Sequence, residues 1–436
     1  MPSPQVRAQA ALAINQVVKN NRTIDWLALN KPNWLESPIS QELVYGVTRF
    51  YFSLSDLVNA HLAKPLRGQD QDVYSLLLVG AYQLQYGHWK AHAIINETVN
   101  ACKVLRKPWA KGLVNGVLRN LQRNLKNGDD GKKNTDRMFD HPTWLVSQLN
   151  NQYQSAEDIL SANNDHPPMW IRVNCCKLDP QDYLAKLNET DIGFTQPLPD
   201  ELPEAILLNQ PMPTKHLPGW SNGEVAVQDL GAQLCRLVTQ QTIATSQFPN
   251  HNTLDACAAP GNKYFHQLES FPLPGKHTAL EQNSQRLKSL HTLATQLGHT
   301  PDSLLGDAGL SDWWDQTPFT HILVDAPCSG TGTIRRHPDI KLLLKEEHLP
   351  SFVHEQRRIL DNLWQTLSPG GTLIYCTCSI LAPENDLLIA DFVNSATDAN
   401  VLPIQLPLGQ PTKYGWQLLP PDNTDGFFYA ALSKTW

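Results

Sequence analysis

Two cysteines follow apolar runs that have the composition of buried strands. Cys328 comes after the run His321–Val324, and Cys378 comes after the run Thr372–Tyr375. A cysteine thiolate is a good nucleophile, and an open α/β sheet binds its ligands at the carboxyl ends of its strands. One cysteine in such a place is most often a packing residue. Two of them, on different strands and facing one pocket, favour a site that uses thiol chemistry.

A turn of small residues predicts a ligand-binding loop. It follows the run Thr253–Leu254 and leads into a predicted helix. Small residues let the backbone approach a ligand closely, and the helix N-terminus offers unpaired N–H groups. The residues of this loop are Cys257, Ala258, Ala259, Pro260, Gly261, Asn262 and Lys263.

Two acidic residues follow the next predicted strands. Glu281 comes after Thr278-Ala279-Leu280, and Asp307 lies between Gly306 and Ala308. A carboxylate at the end of the second strand suits a ribose diol, because both of its oxygens accept hydrogen bonds. An acid after the third strand suits an adenine amino group. The alternative is that each acid only caps the helix that follows it.

The elements that must position these residues form an α/β domain. From about residue 250, short apolar runs alternate with helical patterns, which is the βαβ signature of a mostly parallel sheet. Residues 141–225 predict a small α+β insert. It contains a helix over His141–Gln154, a strand over Trp170–Asn174 and a helix that Asp179-Pro180 opens.

Residues 5–126 predict an all-helical bundle. The periodic segments are Gln5–Lys19, Ile39–Lys64, Val73–Tyr86, Ile94–Leu105 and Gly112–Leu125. The stretch Lys103–Lys126 contains seven basic residues and no acid. This favours a surface that faces nucleic acid over an ordinary solvated helix face, on which acids are normally interspersed. Its basic residues include Lys103, Arg106, Lys107, Lys111, Arg119 and Arg123.

The composition divides the chain in the same way. The 436 residues carry a net charge of −7, which by itself argues against a nucleic-acid binder. Residues 1–140, however, hold 18 basic and 11 acidic side chains, a net of +7, whereas the rest holds 17 and 31, a net of −14. The polar segment Asn127–Asp136 predicts a linker between these halves. The predicted domains are 1–139, 140–225 and 226–436.

Several classes of protein are excluded by what the sequence lacks. The chain has no secretory signal and no apolar stretch long enough to cross a membrane. Its eight cysteines form no CxxC pair and no Cys/His ladder with the spacing of zinc ligands, so we expect no metal. A disulfide framework is not expected in a chain with a full core. We therefore predict a reduced, cytoplasmic protein.

The motifs together resemble the S-adenosylmethionine-dependent RNA cytosine-C5 methyltransferases. The resemblance rests on Cys-Ala-Ala-Pro-Gly-x-Lys, Asp-Ala-Pro-Cys-Ser-Gly-Thr-Gly and Thr-Cys-Ser, in that order. It extends to Val227-Gln228-Asp229 and to the segment Ile334–Lys341, while His92–Val99 and Gly112–Arg119 resemble a NusB-like RNA-binding domain. A NusB-like front and a methyltransferase back are the layout of the bacterial 16S rRNA methyltransferase B family. The resemblance covers nearly the whole chain.

The resemblance implies a fold and a partner. The fold is an all-α NusB-like bundle, a small α+β insert and a Rossmann-like methyltransferase domain. The reaction is methylation of cytosine C5 in 16S rRNA, at the family's site, cytosine 967. The substrate would be rRNA that is free of most ribosomal proteins. Arg335 and Arg336, beside Lys341, would add positive charge for RNA next to the active site.

It also implies roles for the site residues. Cys378 would attack cytosine C6, and Cys328 would help to complete the reaction and release the product. Asp325 would contact the cytosine edge and border the cofactor. The loop Cys257–Lys263 would hold S-adenosylmethionine, with Glu281 on the ribose and Asp307 near the adenine; Lys263 could also lower the pKa of a neighbouring thiol.

The sequence departs from the family pattern at three places. Asn262 replaces the usual second glycine of the loop, and Asn tolerates the left-handed backbone better than most residues. Glu281 replaces the more usual Asp. Cys376 lies on the same strand face as Cys378, and we favour Cys378 as the nucleophile because it lies in Thr-Cys-Ser.

Three other functions stay open. The first is cytosine-C5 methylation of a different rRNA or tRNA target. The second is methylation of adenine N6, which the sequence disfavours because Asp325-Ala326-Pro327-Cys328 replaces the Asp/Asn-Pro-Pro-aromatic motif of those enzymes. The third is a NusB-like RNA-binding assembly factor whose enzyme domain is inactive.

Overall fold

The computed structural model describes residues 1–66, 68–126, 139–244 and 248–435. The predicted linker Asn127–Asp136 lies outside these ranges. The described chain forms two compact units. The first contains Met1–His166 together with Ile334–Glu346, and the second contains Pro167–Thr333 together with Glu347–Trp436.

The first unit is helical, as the sequence predicts. Apolar side chains at helical spacing form one core, because each amphipathic helix must bury its apolar face against its neighbours. Ser3, Thr23 and Ser37 accept hydrogen bonds from backbone N–H groups of the helices that they precede. The helices are α1 (Pro4–Asn20), α2 (Ile24–Asn30), α3 (Pro38–Arg49), α4 (Tyr51–Asn59), α5 (Gln71–Tyr86), α6 (Ala91–Val104), α7 (Lys111–Lys126), α8 (Thr143–Gln152) and α9 (Ala156–Ala162).

The structure adds two details to the helical prediction. The periodic segment Ile39–Lys64 contains two helices, α3 and α4, because Phe50 leaves the helical conformation and stacks on the Tyr86 ring, with centroids 4.6 Å apart. Helix α2 was not predicted. It has only seven residues, too few to show a hydrophobic period, and it depends on its cap, in which Thr23 Oγ1 accepts from Trp26 N at 3.0 Å.

The second unit begins with a four-stranded antiparallel sheet. Its strand order is β2-β3-β1-β4, and helix α10 packs in the same apolar cluster. Asp179 caps α10 by accepting from Gln181 N at 2.8 Å, as Asp-Pro predicts. The elements are β1 (Met169–Val173), α10 (Pro180–Glu189), β2 (Phe194–Thr195), β3 (Ala205–Leu208) and β4 (Val225–Val227).

A larger mixed sheet follows in the same unit, with the order β11-β12-β13-β9-β8-β5-β6-β7 and β10 paired to β13. Strands β9, β8, β5, β6 and β7 pair parallel with one another in this order, whereas β13 runs antiparallel to β9. The strands are β5 (His251–Ala256), β6 (Gly275–Glu281), β7 (Asp302–Leu305), β8 (Phe319–Asp325), β9 (Leu367–Thr377), β10 (Ala399–Leu402), β11 (Gln410–Pro411), β12 (Trp416–Leu418) and β13 (Phe427–Lys434).

Helices connect the parallel strands, as parallel pairing requires. The carboxyl ends of β5, β6, β7, β8 and β9 therefore meet at one edge of the sheet, where the sequence placed the cofactor loop, both acids and both cysteines. The helices of this unit are α11 (Leu230–Gln233), α12 (Cys235–Ile243), α13 (Asn262–Ser270), α14 (Ser284–Leu297), α16 (Leu349–Thr366) and α17 (Asp386–Ser395), and α15 (Ile340–Leu343) belongs to the helical unit.

The segment Ile334–Glu346 leaves the catalytic half of the sequence and packs in the helical unit. Leu342 and Leu343 pack against the helical core. Lys341 Nζ donates to Arg49 O at 2.7 Å, and Ile24 N donates to Asp339 Oδ2 at 3.0 Å. A stretch between β8 and β9 therefore completes the helical unit.

These two units cut the chain differently from the three predicted domains. Residues 140–166 group with the helices, and the antiparallel sheet groups with the methyltransferase-like sheet. The boundaries at 139/140 and 225/226 stay predictions. In the part of the chain that the structure describes, no helix combines the length and apolarity needed to span a membrane.

Candidate active site

The loop after β5 is a left-handed turn that leads into α13. Cys257 has a φ of 61° and Gly261 a φ of 108°. A Cβ on Gly261 would lie 2.6 Å from a ring carbon of Phe265, so this position requires glycine on two grounds. Asn262 is already the first residue of α13. Its tolerance of a left-handed backbone, which the sequence argument invoked, is therefore not needed, because Gly261 provides that conformation.

Glu281 ends β6, and one of its carboxylate oxygens accepts no hydrogen bond from the described residues. Its Oε1 accepts from Asn283 N at 2.9 Å. Its buried Oε2 has no hydrogen-bond donor but lies 3.4 Å from Arg286 Nη1, with which it forms an ion pair. A buried carboxylate oxygen without a donor is costly. The position therefore fits a ligand that brings its own hydroxyl groups, such as a ribose.

Asp307 follows β7, and its carboxylate is held in place. Oδ1 accepts from Gly309 N at 2.8 Å, and both oxygens lie 2.9 Å from Arg358 Nη2. Arg358 also pairs with Glu355 at 2.7 Å, and these hydrogen bonds raise its pKa. The sequence did not identify Arg358, since it lies far along the chain on α16. The contact of Asp307 with adenine stays a prediction.

Lys263 and Asp325 form a close ion pair at the centre of the site. Lys263 Nζ donates to Asp325 Oδ2 at 2.7 Å, and the Asp325 side chain is 34 % exposed. Burial disfavours the ammonium, but the Asp325 carboxylate outweighs it, so the pKa of Lys263 is raised. Behind them lies Asp255, with both oxygens buried and unbonded; burial, and then Asp325, raise its pKa well above the usual range. The sequence assigned no role to Asp255.

The two predicted cysteines are in contact. Cys328 Sγ and Cys378 Sγ lie 3.4 Å apart, and both side chains are partly exposed. Strands β8 and β9 pair Asp325 with Cys376, so both cysteines come just beyond the paired ends. The pKa of Cys328 is raised by the hydrogen bond with Cys378 and then by burial. That favours a neutral Cys328 thiol, which can donate to Cys378.

The other thiols near the site are poor nucleophiles. Cys376 is fully buried in the sheet, and burial raises its pKa well above the usual range. Burial also raises the pKa of Cys257. The choice of Cys378 over Cys376 therefore agrees with the exposure of the two thiols.

The predicted RNA-facing residues of the helical unit divide into two groups. Lys103, Arg106, Arg119 and Arg123 are exposed. Lys107, by contrast, donates to Asp72 Oδ1 at 2.6 Å and to Asp70 Oδ1 at 3.0 Å, so its charge is already neutralised. Lys111 is half-buried.

Arg335 lies in the segment that packs into the helical unit. It is only 3 % exposed, and Arg49 Nη2 donates to Arg335 O at 2.6 Å. Lys341 is buried in the same segment. A phosphate contact needs an exposed charge, so this burial disfavours RNA binding by Arg335, which stays a prediction. Arg336 is half-buried.

Two further residues act on the site from elsewhere in the sequence. Arg172, on β1 of the insert, donates to Asn262 O at 2.8 Å and pairs with Glu269 at 2.7 Å, so the insert anchors α13. Glu384 bonds the residues next to both cysteines. Neither residue could be found within one segment of sequence, because Arg172 and Asn262 lie 90 positions apart and Glu384 and Ser329 lie 55 positions apart.

Family comparisons cover most of the chain. A family model described as 16S rRNA methyltransferase RsmB/F matches residues 243–433, the NusB family model matches residues 4–123, and a ferredoxin-like domain of RsmF/B-like methyltransferases matches residues 141–215. These matches confirm the predicted fold classes of the bundle and of the methyltransferase domain.

Full-length relatives are similar throughout. The chain is 39 % identical over 443 residues to a protein of Coxiella burnetii named "Probable ribosomal RNA small subunit methyltransferase B", covering 98 % of this chain and 99 % of that one. It is 38 % identical over 436 residues to the ribosomal RNA small subunit methyltransferase B of Shigella sonnei, covering 98 % of both. The crystal structure of PH0851 shares the fold, with a TM-score of 0.81, 20 % identity and coverage of 100 % of this chain and 99 % of that one.

Proposed function

The chain belongs to the 16S rRNA methyltransferase RsmB/F family, and from this we propose that it methylates C5 of a cytosine in 16S rRNA through a covalent bond between Cys378 and C6. The family depends on S-adenosylmethionine. The observation that carries the proposal is the pair of thiols, 3.4 Å apart, which follow the ends of β8 and β9; β8 ends at Asp325, the partner of Lys263.

The residues of the sheet edge fit the cofactor. The left-handed turn at Gly261 opens the backbone, and Glu281 Oε2, which has no hydrogen-bond donor among the described residues, suits a ribose hydroxyl. Asp307 would lie at the adenine end, fixed by Arg358. When bound there, S-adenosylmethionine supplies an electrophilic methyl group.

The chemistry of cytosine explains the need for two thiols and an acid. C5 is a poor nucleophile until a thiolate adds to C6, which makes the ring an enamine. Cys378 forms that bond. Asp325, oriented by Lys263, contacts the pyrimidine edge and stabilises the adduct. After methyl transfer a base takes the C5 proton, the C5–H electron pair re-forms the C5–C6 double bond, and Cys378 leaves C6 as a thiolate; Cys328 assists this release. The target base must leave its stack to reach this site.

Two substitutions test this mechanism. We expect Cys378→Ala to abolish methyl transfer, because the raised pKa values of Cys328, Cys257 and Cys376 keep those thiols neutral and make them poor nucleophiles. We expect Cys328→Ala to accumulate a protein–RNA adduct that survives denaturing electrophoresis, because release of the product is impaired. A Cys378→Ala variant with full activity would disprove the assignment of the nucleophile.

The position of the target follows from rRNA analysis. Bisulfite sequencing of 16S rRNA from cells with and without the protein should reveal one cytosine that loses its methyl group, which we propose to be cytosine 967. Protein-free 16S rRNA should be a better substrate than assembled small subunits, and we expect the protein in the cytoplasm with that RNA. Methylated adenine in the digested product, a different rRNA or tRNA target, or no transfer at all would each favour one of the alternatives.

A further inference from the structure

Glu384 is a buried carboxylate that bonds to both cysteine loops. Its side chain is 0 % exposed. Oε1 accepts from Ser329 N at 2.8 Å and from Gln356 Nε2 at 3.0 Å. Oε2 accepts from Ser329 Oγ at 2.5 Å and from Ser379 Oγ at 2.6 Å. Ser329 directly follows Cys328, and Ser379 directly follows Cys378.

The same region contains other bonds between the two loops. Gly332 N donates to Cys378 O at 2.9 Å. Thr331 Oγ1 lies 3.1 Å from Ser379 Oγ and accepts from Ile380 N at 3.2 Å. Gln356, which reaches Glu384, also donates to Pro327 O at 2.9 Å. The residues that flank the two cysteines therefore belong to one hydrogen-bonded cluster. Within this cluster Glu384 accepts four hydrogen bonds, more than any other residue named here.

All four donors to Glu384 are uncharged groups. No ion pair among the described residues includes Glu384. A carboxylate buried without a cation is costly unless its oxygens are fully hydrogen-bonded. Moving the Cys328 loop away would break two of its bonds, and moving the Cys378 loop away would break a third, so either movement removes donors from a buried carboxylate. The position of one loop therefore constrains the position of the other.

We propose that Glu384 is a positioning residue, which holds the Cys378 loop against the Cys328 loop so that the two thiols face one cytosine. This inference rests on the proposed function, because the two thiols need a common substrate. It adds a residue to which neither sequence motif assigns a role. Glu384 does not touch the reacting atoms and acts only through Ser329 and Ser379.

Two substitutions of Glu384 distinguish the effect of its side-chain length from the effect of its charge. Glu384→Asp keeps the charge but shortens the side chain by one methylene, so it cannot bond both loops. Glu384→Gln keeps the length; its amide oxygen can replace Oε1, and its N–H groups can donate to Ser329 Oγ and Ser379 Oγ, since hydroxyls also accept. We expect kcat to fall on the order of 10²-fold in Glu384→Asp and about threefold or less in Glu384→Gln. The KM for S-adenosylmethionine should stay unchanged in both.

The distance between the thiols can be measured without methylation. Diamide takes two electrons and two protons from a pair of thiols and becomes the hydrazine, leaving a disulfide. In the full-length protein, the rate of a Cys328–Cys378 disulfide, followed by peptide mass analysis, reports how often the two sulfurs meet. We expect this rate to fall at least tenfold in Glu384→Asp and to stay near wild type in Glu384→Gln.

Controls make the result decisive. Asp391→Asn changes another acid on the following helix, where Asp391 is exposed and pairs with Arg357, and it should change neither rate. Thermal unfolding of each variant shows whether the fold is kept. Wild-type bridging in Glu384→Asp, or a Glu384→Gln variant as inactive as Glu384→Asp, overturns the positioning role. A failure of the proposed function would instead show as absent cytosine methylation by the wild type, with bridging unaffected.

Discussion

The Lys263 ammonium lies within a group of acids at the strand ends. It bonds Asp325 at 2.7 Å, and its charge also lowers the pKa of buried Asp255, which burial and Asp325 raise. It lies 5.1 Å from the centre of the Phe427 ring as well. The Lys263 ammonium therefore balances the negative charge of Asp325, the carboxylate that would contact the substrate. Removing it would leave that carboxylate without its orienting partner.

We predict that Lys263→Met lowers kcat by about 10²-fold, because Asp325 loses the hydrogen bond that orients it. Steady-state methyl transfer to 16S rRNA measures the effect. Lys288→Met, on the exposed face of α14, is the matched control and should keep full activity. An unchanged kcat in Lys263→Met would show that the ion pair does not contribute to the reaction.

A row of polar side chains crosses the parallel strands away from the site. The strand register aligns His277, Thr253, His321 and Thr372 on β6, β5, β8 and β9. Thr253 Oγ1 lies 2.8 Å from His277 Nδ1, and His321 Nδ1 lies 2.7 Å from Thr372 Oγ1. Burial, together with the neighbouring His251 and His277, lowers the pKa of His321 to about 3.

This row predicts that the second unit loses stability in acid. The pKa of His321 is about 6.5 when unfolded and about 3 when folded, so below pH 6.5 the unfolded state binds a proton that the folded state does not. The free energy of unfolding should fall by about 1.4 kcal/mol per pH unit from this residue alone. His321→Asn keeps a partner for Thr372 and should flatten that slope.

Urea unfolding at pH 7, 6 and 5 measures the slope. His216→Asn is the control, because His216 is exposed in the same unit, and it should leave the slope as in the wild type. Equal slopes in all three proteins would contradict the assignment to His321.

At the scale of the whole molecule, the helical unit carries the positive charge that RNA would contact. Arg119 and Arg123 are exposed one turn apart on α7. Lys107 has the same charge but is held by Asp70 and Asp72. Charges of equal sign in one sequence stretch are therefore not equivalent for binding.

We predict that Arg119→Ala/Arg123→Ala weakens binding to 16S rRNA and reduces the slope of log K against log salt by about 1.4 to 1.8, as the loss of two phosphate contacts requires. Lys107→Ala should leave the slope unchanged and lower the melting temperature instead. Fluorescence anisotropy over a salt series measures both. A slope that changes equally in both variants would contradict the difference between engaged and exposed basic residues.

The sequence alone predicted those features of the fold that depend on a single short segment of the chain. The turn at Gly261, the strand that precedes each cysteine and the helical periods of the bundle each lie within one short segment, in which spacing and residue type determine the backbone. The family resemblance rested on these same segments, and the comparisons confirm it. Helix α2 and the break at Phe50 were missed, because a seven-residue helix and a single aromatic contact give no period.

Only the tertiary structure decided which charged residues are available. The bonds of Lys107 join residues 35 and 37 positions apart, Arg172 reaches Asn262 across 90 positions, and Glu384 reaches Ser329 across 55. The sequence predicted that two thiols would follow different strands; the folded sheet made those strands neighbours and brought the sulfurs to 3.4 Å. The tertiary structure also buries Arg335 in the helical unit, because the segment Ile334–Glu346 completes the helical core. Burial and pairing depend on which distant segments meet, and that information is absent from any one stretch of sequence.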